Sequence, residues 1–356
     1  MLDPRQPDPE RTKAFVGQVV SDLGAAFSGV MTNLGHKLGL YRALADAGTL
    51  TPGQLAARTG TRERYVREWL SNQAAGGYLD YDPATGTYSL PEEHAAVLAV
   101  EDSPVFMAAA FDVASALWHD EDLIAEAFRT GNGIGWHQHH PRLFDGTAAF
   151  FRTGYRAHLT DSWIPALEGV EDKLRRGARV ADVGCGYGIS TILMAQTYPA
   201  SHFYGFDYHA PSIQVARRNA EEAGVHQRTF FEELDAGQLP NREYDLICFM
   251  DCLHDLGDPL GAARRAREAL AENGTVMLVE PFAGDSVTDN TNPVGRLFYA
   301  ASTGFCTPHS LSQEGAAGLG AQAGEQRLRA LLAEAGLRHF RRAAETPFNL
   351  VLETRP

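Results

Sequence analysis

The chain holds 356 residues, 44 % of them hydrophobic, with a formal net charge of −14. That length exceeds one compact core of common size and predicts two domains. The negative balance argues against broad electrostatic affinity for nucleic acid or acidic membrane surfaces.

No apolar stretch reads as long enough to span a membrane. Met1-Leu2-Asp3-Pro4-Arg5 has neither the basic nor the apolar region of a signal peptide, so a cytoplasmic location is expected. Cys185, Cys248, Cys252 and Cys306 show no metal-ligand spacing and read as reduced thiols.

Residues 1–12 carry three prolines and many charges and are expected to form a flexible tail. From Ala14 to Ala47, Phe15, Val19, Leu23, Phe27, Val30, Leu34, Leu38, Tyr41 and Leu44 recur at helical spacing. The glycines and alanines between them suit close packing, in a domain core or against a second subunit. Thr51-Pro52 opens another helix, with a capping hydroxyl and a proline at the first position. Arg62–Gly76 carries Tyr65, Val66, Trp69 and Leu70 on one face, and Tyr78–Tyr81 and Thr87–Leu90 flank a turn.

Three helices and a hairpin make a winged helix, which serves on DNA or as a dimerising lid. Arg62, Arg64 and Arg67 are interleaved with Glu63 and Glu68, a weak basic face. Residues 92–170 read as helical with breaks. His137, His139 and His140 follow Trp136 in a loop expected to line or cover a pocket. Their spacing, with Pro141 next, is a poor metal-ligand set.

The second half alternates strand and helix. Strands are predicted at Arg179–Val183, His202–Phe206, Arg228–Phe231, Tyr244–Met250, Gly274–Glu280, His339–Ala344 and Asn349–Glu353. Helices are predicted at about Gly188–Thr197, Pro211–Ala223, Leu260–Ala271 and Gly324–Ala335. An open, mostly parallel sheet of this kind binds ligands at the carboxyl ends of its strands.

Four features fall there. Gly184, Gly186 and Gly188 alternate in a tight turn just after Asp182, where a ligand can lie against bare backbone. Asp207 ends the next strand, about twenty residues on, placed for ribose hydroxyls. Asp235-Ala236 is placed for an adenine, and Asp251-Cys252-Leu253-His254-Asp255 follows the fourth strand. Position 189 is isoleucine, so the dinucleotide fingerprint fails. With no phosphate to cradle, Asp182 can face the ammonium of an amino-acid-bearing nucleoside.

Val180 through Gly188, then Asp207, then Asp235-Ala236 resembles the motif series of class I S-adenosylmethionine-dependent methyltransferases. With the winged-helix front, Cys252-Leu253-His254-Asp255 and Val279-Glu280-Pro281, the chain resembles the two-domain small-molecule O-methyltransferases, in a bacterial and actinobacterial subgroup. The resemblance implies an α/β fold. A Rossmann-like seven-stranded methyltransferase domain over 171–356 would follow a mainly α winged-helix dimerisation and substrate-lid region over 13–170.

It also implies S-adenosylmethionine as cofactor, converted to S-adenosylhomocysteine. Asp182, Gly184 and Gly186 would meet its methionine portion, Asp207 its ribose with Tyr208 beside it, and Asp235 and Ala236 its adenine, with Met250 nearby. His254 matches the general base and Glu280 the first carboxylate that orients it. A histidine titrates near neutrality, so it can take a hydroxyl proton without strong tuning. The small-molecule acceptor would be a hydroxylated secondary metabolite, bound by a homodimer that uses neither nucleic acid nor membrane.

The match departs from the family where a second glutamate is expected, because Gln322 stands there. Asp255 is the residue able to take over. Relatives that bind iron use a later histidine at a position near Thr303, with His309 close by; no metal is expected. Carbon or nitrogen methylation, metal-assisted or not, and a metabolite-sensing winged-helix regulator are the alternatives.

Overall fold

The computed structural model describes residues 7–356. They form two compact units, one of residues up to 115 with 145–153, the other of 116–144 with 154–356.

The first unit opens with a 29-residue helix, Pro9–Lys37. Asp8 caps it by accepting from the backbone of Glu10 and Arg11, and Pro9 sits where a missing N–H costs nothing. The tail expected over 1–12 is thereby corrected: its first six residues lie outside the described ones, and the helix begins at Pro9. A cap and an N1 proline had the composition of a loose terminus.

Within this helix only Thr32, Asn33 and Gly35 are buried. A Cβ on Gly35 would stand 2.5 Å from the Trp69 ring and 2.6 Å from Tyr41, so the helix packs there through its bare backbone. The apolar stripe from Phe15 to Leu34 stays exposed, with Phe27 at 74 %. The helix is long and apolar enough by composition to cross a membrane, which corrects the expectation that no stretch reaches that length. Interspersed glycine, serine and threonine disguise it as a sequence.

Helices Leu40–Ala47, Pro52–Thr59 and Glu63–Ala75 follow, and Thr51 and Gln54 cap the middle one reciprocally. Strands β1 (Asp80–Asp82) and β2 (Thr87–Ser89) pair antiparallel, and Leu50 bridges to Tyr88. Leu40, Tyr41, Leu44, Leu55, Val66, Trp69 and Leu70 make the core of this winged helix. Arg64 and Arg67 pair with Glu68 and Glu63 on their own helix, which neutralises the face a DNA-binding domain would present.

The second unit is built on one sheet of seven strands, in the order β5-β4-β3-β6-β7-β9-β8. They are β3 (Arg179–Val183), β4 (His202–Asp207), β5 (Thr229–Glu233), β6 (Tyr244–Met250), β7 (Leu270–Pro281), β8 (His339–Glu345) and β9 (Asn349–Arg355). β3 to β7 run parallel; β9 is antiparallel to both β7 and β8. Every predicted strand is present; β3, β6, β7 and β9 are largely buried and read as apolar runs. Val183, Phe206, Ile247, Phe249, Val276, Leu278, Leu350 and Leu352 fill the core.

The order reverses at β3, which has β4 on one side and β6 on the other. That is the switch point where an open sheet leaves a crevice. Helix Pro293–Ala301, the π-helical turn Ser302–Cys306 and helix Thr307–Leu311 have no counterpart in the predicted elements.

Candidate active site

The glycine turn leaves β3 at that switch point. Gly184, Gly186 and Gly188 have φ of +74°, +50° and +74°, a region side chains with a Cβ rarely occupy. The N–H groups of Gly184 and Cys185 donate to the Phe206 carbonyl at 2.8 and 3.0 Å, tying the turn to β4. No heavy atom lies within 4 Å of where a Cβ on Gly186 would sit, so the backbone there faces open space.

Two carboxylates frame it. Asp207 ends β4; its Oδ2 accepts from Gly186 N–H and its Oδ1 from His209 N–H, each at 2.9 Å. Asp182 lies inside β3 and accepts the hydroxyls of Ser190 and Thr191 on Oδ2, each at 2.6 Å. Its Oδ1 is buried and has no hydrogen-bond partner among the described residues. Burial pushes Asp182 up to about 6 although both hydroxyls pull it down. Burial raises Asp207 as well, against the backbone N–H bonds that stabilise its charge.

A second group of residues follows β6 and adjoins the turn directly. Cys252 donates its thiol to the Val183 carbonyl at 3.0 Å, and a Cβ on Gly184 would meet its Sγ at 2.7 Å. Two residues on, His254 Nδ1 lies 2.5 Å from Glu280 Oε2 at the end of β7. Both side chains are buried, and Glu280 Oε1 has no hydrogen-bond partner among the described residues. Burial alone would lower the His254 pKa; the Glu280 carboxylate and then the neighbouring Cys306 side chain carry it well above the ordinary histidine range. Burial pushes neighbouring Asp255 up to about 7, against the pull of His254.

Glu280 is thus the carboxylate that holds the imidazole. Gln322, where a second acid was expected, turns its amide to the Phe282 and Ala321 carbonyls. Asp235 is exposed and accepts from Gly237 N–H at 2.8 Å, with Ala236 half-buried beside it. Met250 is buried at the end of β6, and Tyr208 stacks on His309 with 5.5 Å between ring centres. Thr303 is exposed and donates to the Tyr299 carbonyl. Among the described residues no group of histidine, cysteine and carboxylate side chains has a geometry for a metal ion.

Asp251 opens the loop after β6, where the motifs give it no role of its own. It has φ of +54°, a strained conformation that recurs at functional sites. Tyr155 donates to its Oδ2 at 3.2 Å and Asn349 to its Oδ1 at 2.9 Å. Burial, then the Glu280 charge, raises its pKa well above the carboxylate range. Its partners lie 96 and 98 positions away in the chain, so no local spacing signals them.

A methyltransferase domain model matches residues 155–338, just over half of the chain. The chain belongs to the methyltransferase family. An Rv2258c-like winged HTH domain model matches residues 26–100. The ubiquinone biosynthesis O-methyltransferase of Bordetella avium is 32 % identical over 139 residues, 38 % of this chain and 51 % of that protein. The 27-O-demethylrifamycin SV methyltransferase of Amycolatopsis mediterranei is 31 % identical over 107 residues, 30 % of this chain and 39 % of that protein. The chain spans about half, or less, of the length of these curated relatives. Human N-acetylserotonin methyltransferase, solved with S-adenosylmethionine, has the same fold with a TM-score of 0.67 at 17 % identity, over 99 % of each chain.

The family's methyl donor, S-adenosylmethionine, fits the residues present. Asp182 offers a buried carboxylate oxygen without a partner to a cation, Gly186 offers open backbone, and Asp207 offers carboxylate lone pairs at the strand end.

Proposed function

We propose that this chain transfers a methyl group from S-adenosylmethionine to a hydroxyl of a small secondary metabolite, with His254 as general base. The observation that carries this is the buried His254–Glu280 pair set against the glycine turn through Cys252. When bound, the cofactor supplies an electrophilic methyl group on a sulfonium centre. Asp182 would hold its ammonium, Gly184 and Gly186 its methionine portion, Asp207 its ribose, and Asp235 and Ala236 its adenine, with Tyr208 and Met250 alongside.

Glu280 accepts from Nδ1–H of His254, which leaves the lone pair on Nε2 for the acceptor's hydroxyl proton. As the methyl carbon leaves the sulfonium, which becomes a thioether, for the acceptor oxygen, that oxygen's proton would pass to Nε2, and the Glu280 carboxylate would stabilise the imidazolium. Asp251 and Asp255 adjoin this pair, and burial favours the neutral form of each. Proton removal of this kind contributes about 10²–10⁴-fold, and holding the hydroxyl in line with the methyl group supplies much of the rest.

The curated relatives' names support an oxygen acceptor. Free thiols support a cytoplasmic site of action. The exposed apolar stripe of Pro9–Lys37 supports a homodimer formed through the N-terminal unit.

Calorimetry with S-adenosylmethionine, followed by a screen of phenolic and other hydroxylated acceptors for S-adenosylhomocysteine release, tests the function. Binding together with release, and an O-methylated product by NMR, is expected. Absence of cofactor binding, or a product methylated on carbon or nitrogen, contradicts it.

A further inference from the structure

The loop between Gly131 and Pro141 carries a second imidazole held by a carboxylate, and methyl transfer as described leaves it without a task. Asp120 is 5 % exposed. Its Oδ2 accepts from His139 Nδ1 at 2.9 Å and from His140 N–H at 3.0 Å, while His119 Nδ1 lies 3.2 Å from Oδ1. With Nδ1–H given to Asp120, the neutral His139 ring has its lone pair on Nε2. That nitrogen is buried and has no hydrogen-bond partner among the described residues. A latch for the loop explains the bonds to Asp120; it does not explain a buried acceptor left empty.

The surroundings connect this imidazole to the proposed base. The π-helical turn Ser302–Cys306 adjoins both: Phe305 meets His139 edge-on at 5.2 Å, and Cys306, the next residue, lies close enough to raise the His254 pKa. Such turns recur at functional sites. His309, just beyond, accepts the Trp136 N–H on Nδ1 at 3.2 Å, so its neutral ring carries its proton on Nε2. Burial pushes the His309 pKa down to about 4, so its ring is neutral as well. Trp136 lies edge-on to Phe305 and His309 at 6.5 and 5.6 Å, giving apolar, aromatic walls. Burial keeps His139 below the ordinary histidine range against the pull of Asp120, so the ring is neutral at pH 7. A neutral lone pair among aromatic rings accepts from a hydroxyl and rejects a carboxylate.

We propose that His139, positioned by Asp120, recognises the acceptor: its Nε2 takes a hydrogen bond from a second hydroxyl of a neutral, polyhydroxylated aromatic acceptor. This rests on methyl transfer at His254 as the reaction, and it assigns specificity to a different imidazole. His254 takes the proton of the reacting hydroxyl, and His139 holds the one that stays.

The test uses the full chain with S-adenosylhomocysteine and a panel of dihydroxylated aromatics, each paired with its monomethyl ether, measured by calorimetry. Native protein binds at least one diol about tenfold more tightly than its ether, the worth of one buried hydrogen bond. His139→Phe abolishes that preference, whereas His139→Gln, which keeps an acceptor oxygen, retains part of it. The ¹⁵N signal of His139 Nε2 moves when the preferred diol is added and stays put with the ether. A native protein with no diol preference, a preference that survives His139→Phe, or an unmoved Nε2 signal each overturns the proposal.

His254→Ala separates it from the base assignment. Intact diol preference with normal turnover refutes the base and leaves His139 in its role. Lost turnover in His254→Ala, in a protein that never preferred diols, does the reverse.

Discussion

The two units of this chain have different interiors. Among the described residues of the N-terminal unit the buried polar side chains are Thr32, Asn33 and Gln73, all neutral, within an apolar core around Trp69 and Tyr41. In the C-terminal unit Asp182, His254 and Glu280 are buried at the sheet and the turns that leave it, and His139 and Asp120 are buried in the same unit. Every buried carboxylate and imidazole among the described residues belongs to that second unit. Burying a charge is costly unless it is paired, and a fold tolerates the cost where the charge has work to do. The N-terminal unit instead leaves apolar area outside, on Pro9–Lys37, as an interface does.

Substitutions sharpen that contrast. The largest expected effect is that of His254→Ala, with turnover falling about 10²–10⁴-fold while cofactor affinity stays unchanged by calorimetry. Near-normal turnover removes the base role. Asp207→Ala is expected to weaken cofactor binding about tenfold or more, the worth of one or two charge-assisted hydrogen bonds. Unchanged affinity removes that assignment.

Cofactor affinity should also fall as pH drops through about 6, where Asp182 takes up a proton and ceases to attract an ammonium. A flat profile from pH 5 to 8 breaks the link.

The N-terminal unit should respond in stability and assembly alone. Gly35→Ala forces a methyl group against Trp69 and Tyr41 and costs about 1–3 kcal/mol in denaturant unfolding, without changing cofactor affinity. Phe27→Glu is expected to shift sedimentation toward the monomer. A native protein that sediments as a monomer breaks the reading of the stripe.

How much of this was legible in the sequence follows the same division. The turn at Gly184-Gly186-Gly188 could be read because an apolar run, alternating glycines and a helix start are local signals. Asp207 could be placed because the distance to the next strand end is set by the helix between. His254 and Glu280 were named from motifs, and their contact joins the turn after β6 to the end of the adjacent β7, 26 positions on. The Asp251, Tyr155 and Asn349 contacts join three distant segments, and nothing local makes an aspartate adopt positive φ. His139 was read as part of a pocket loop, but its partner Asp120 sits 19 positions earlier with no periodicity to tie them. The helix start at Pro9 was missed although Asp8-Pro9 is a legible signal, because prolines and charges outweighed it.

The pH dependence of kcat/KM, native against Glu280→Gln, tests the central claim most directly. Burial lowers the His254 pKa, and Glu280 and Cys306 more than offset it, so the base is neutral only above the ordinary histidine range. Native activity is therefore predicted to rise with pH through that raised value, and Glu280→Gln to move the rise to lower pH with reduced turnover. Rises that superimpose in the two proteins would contradict the account.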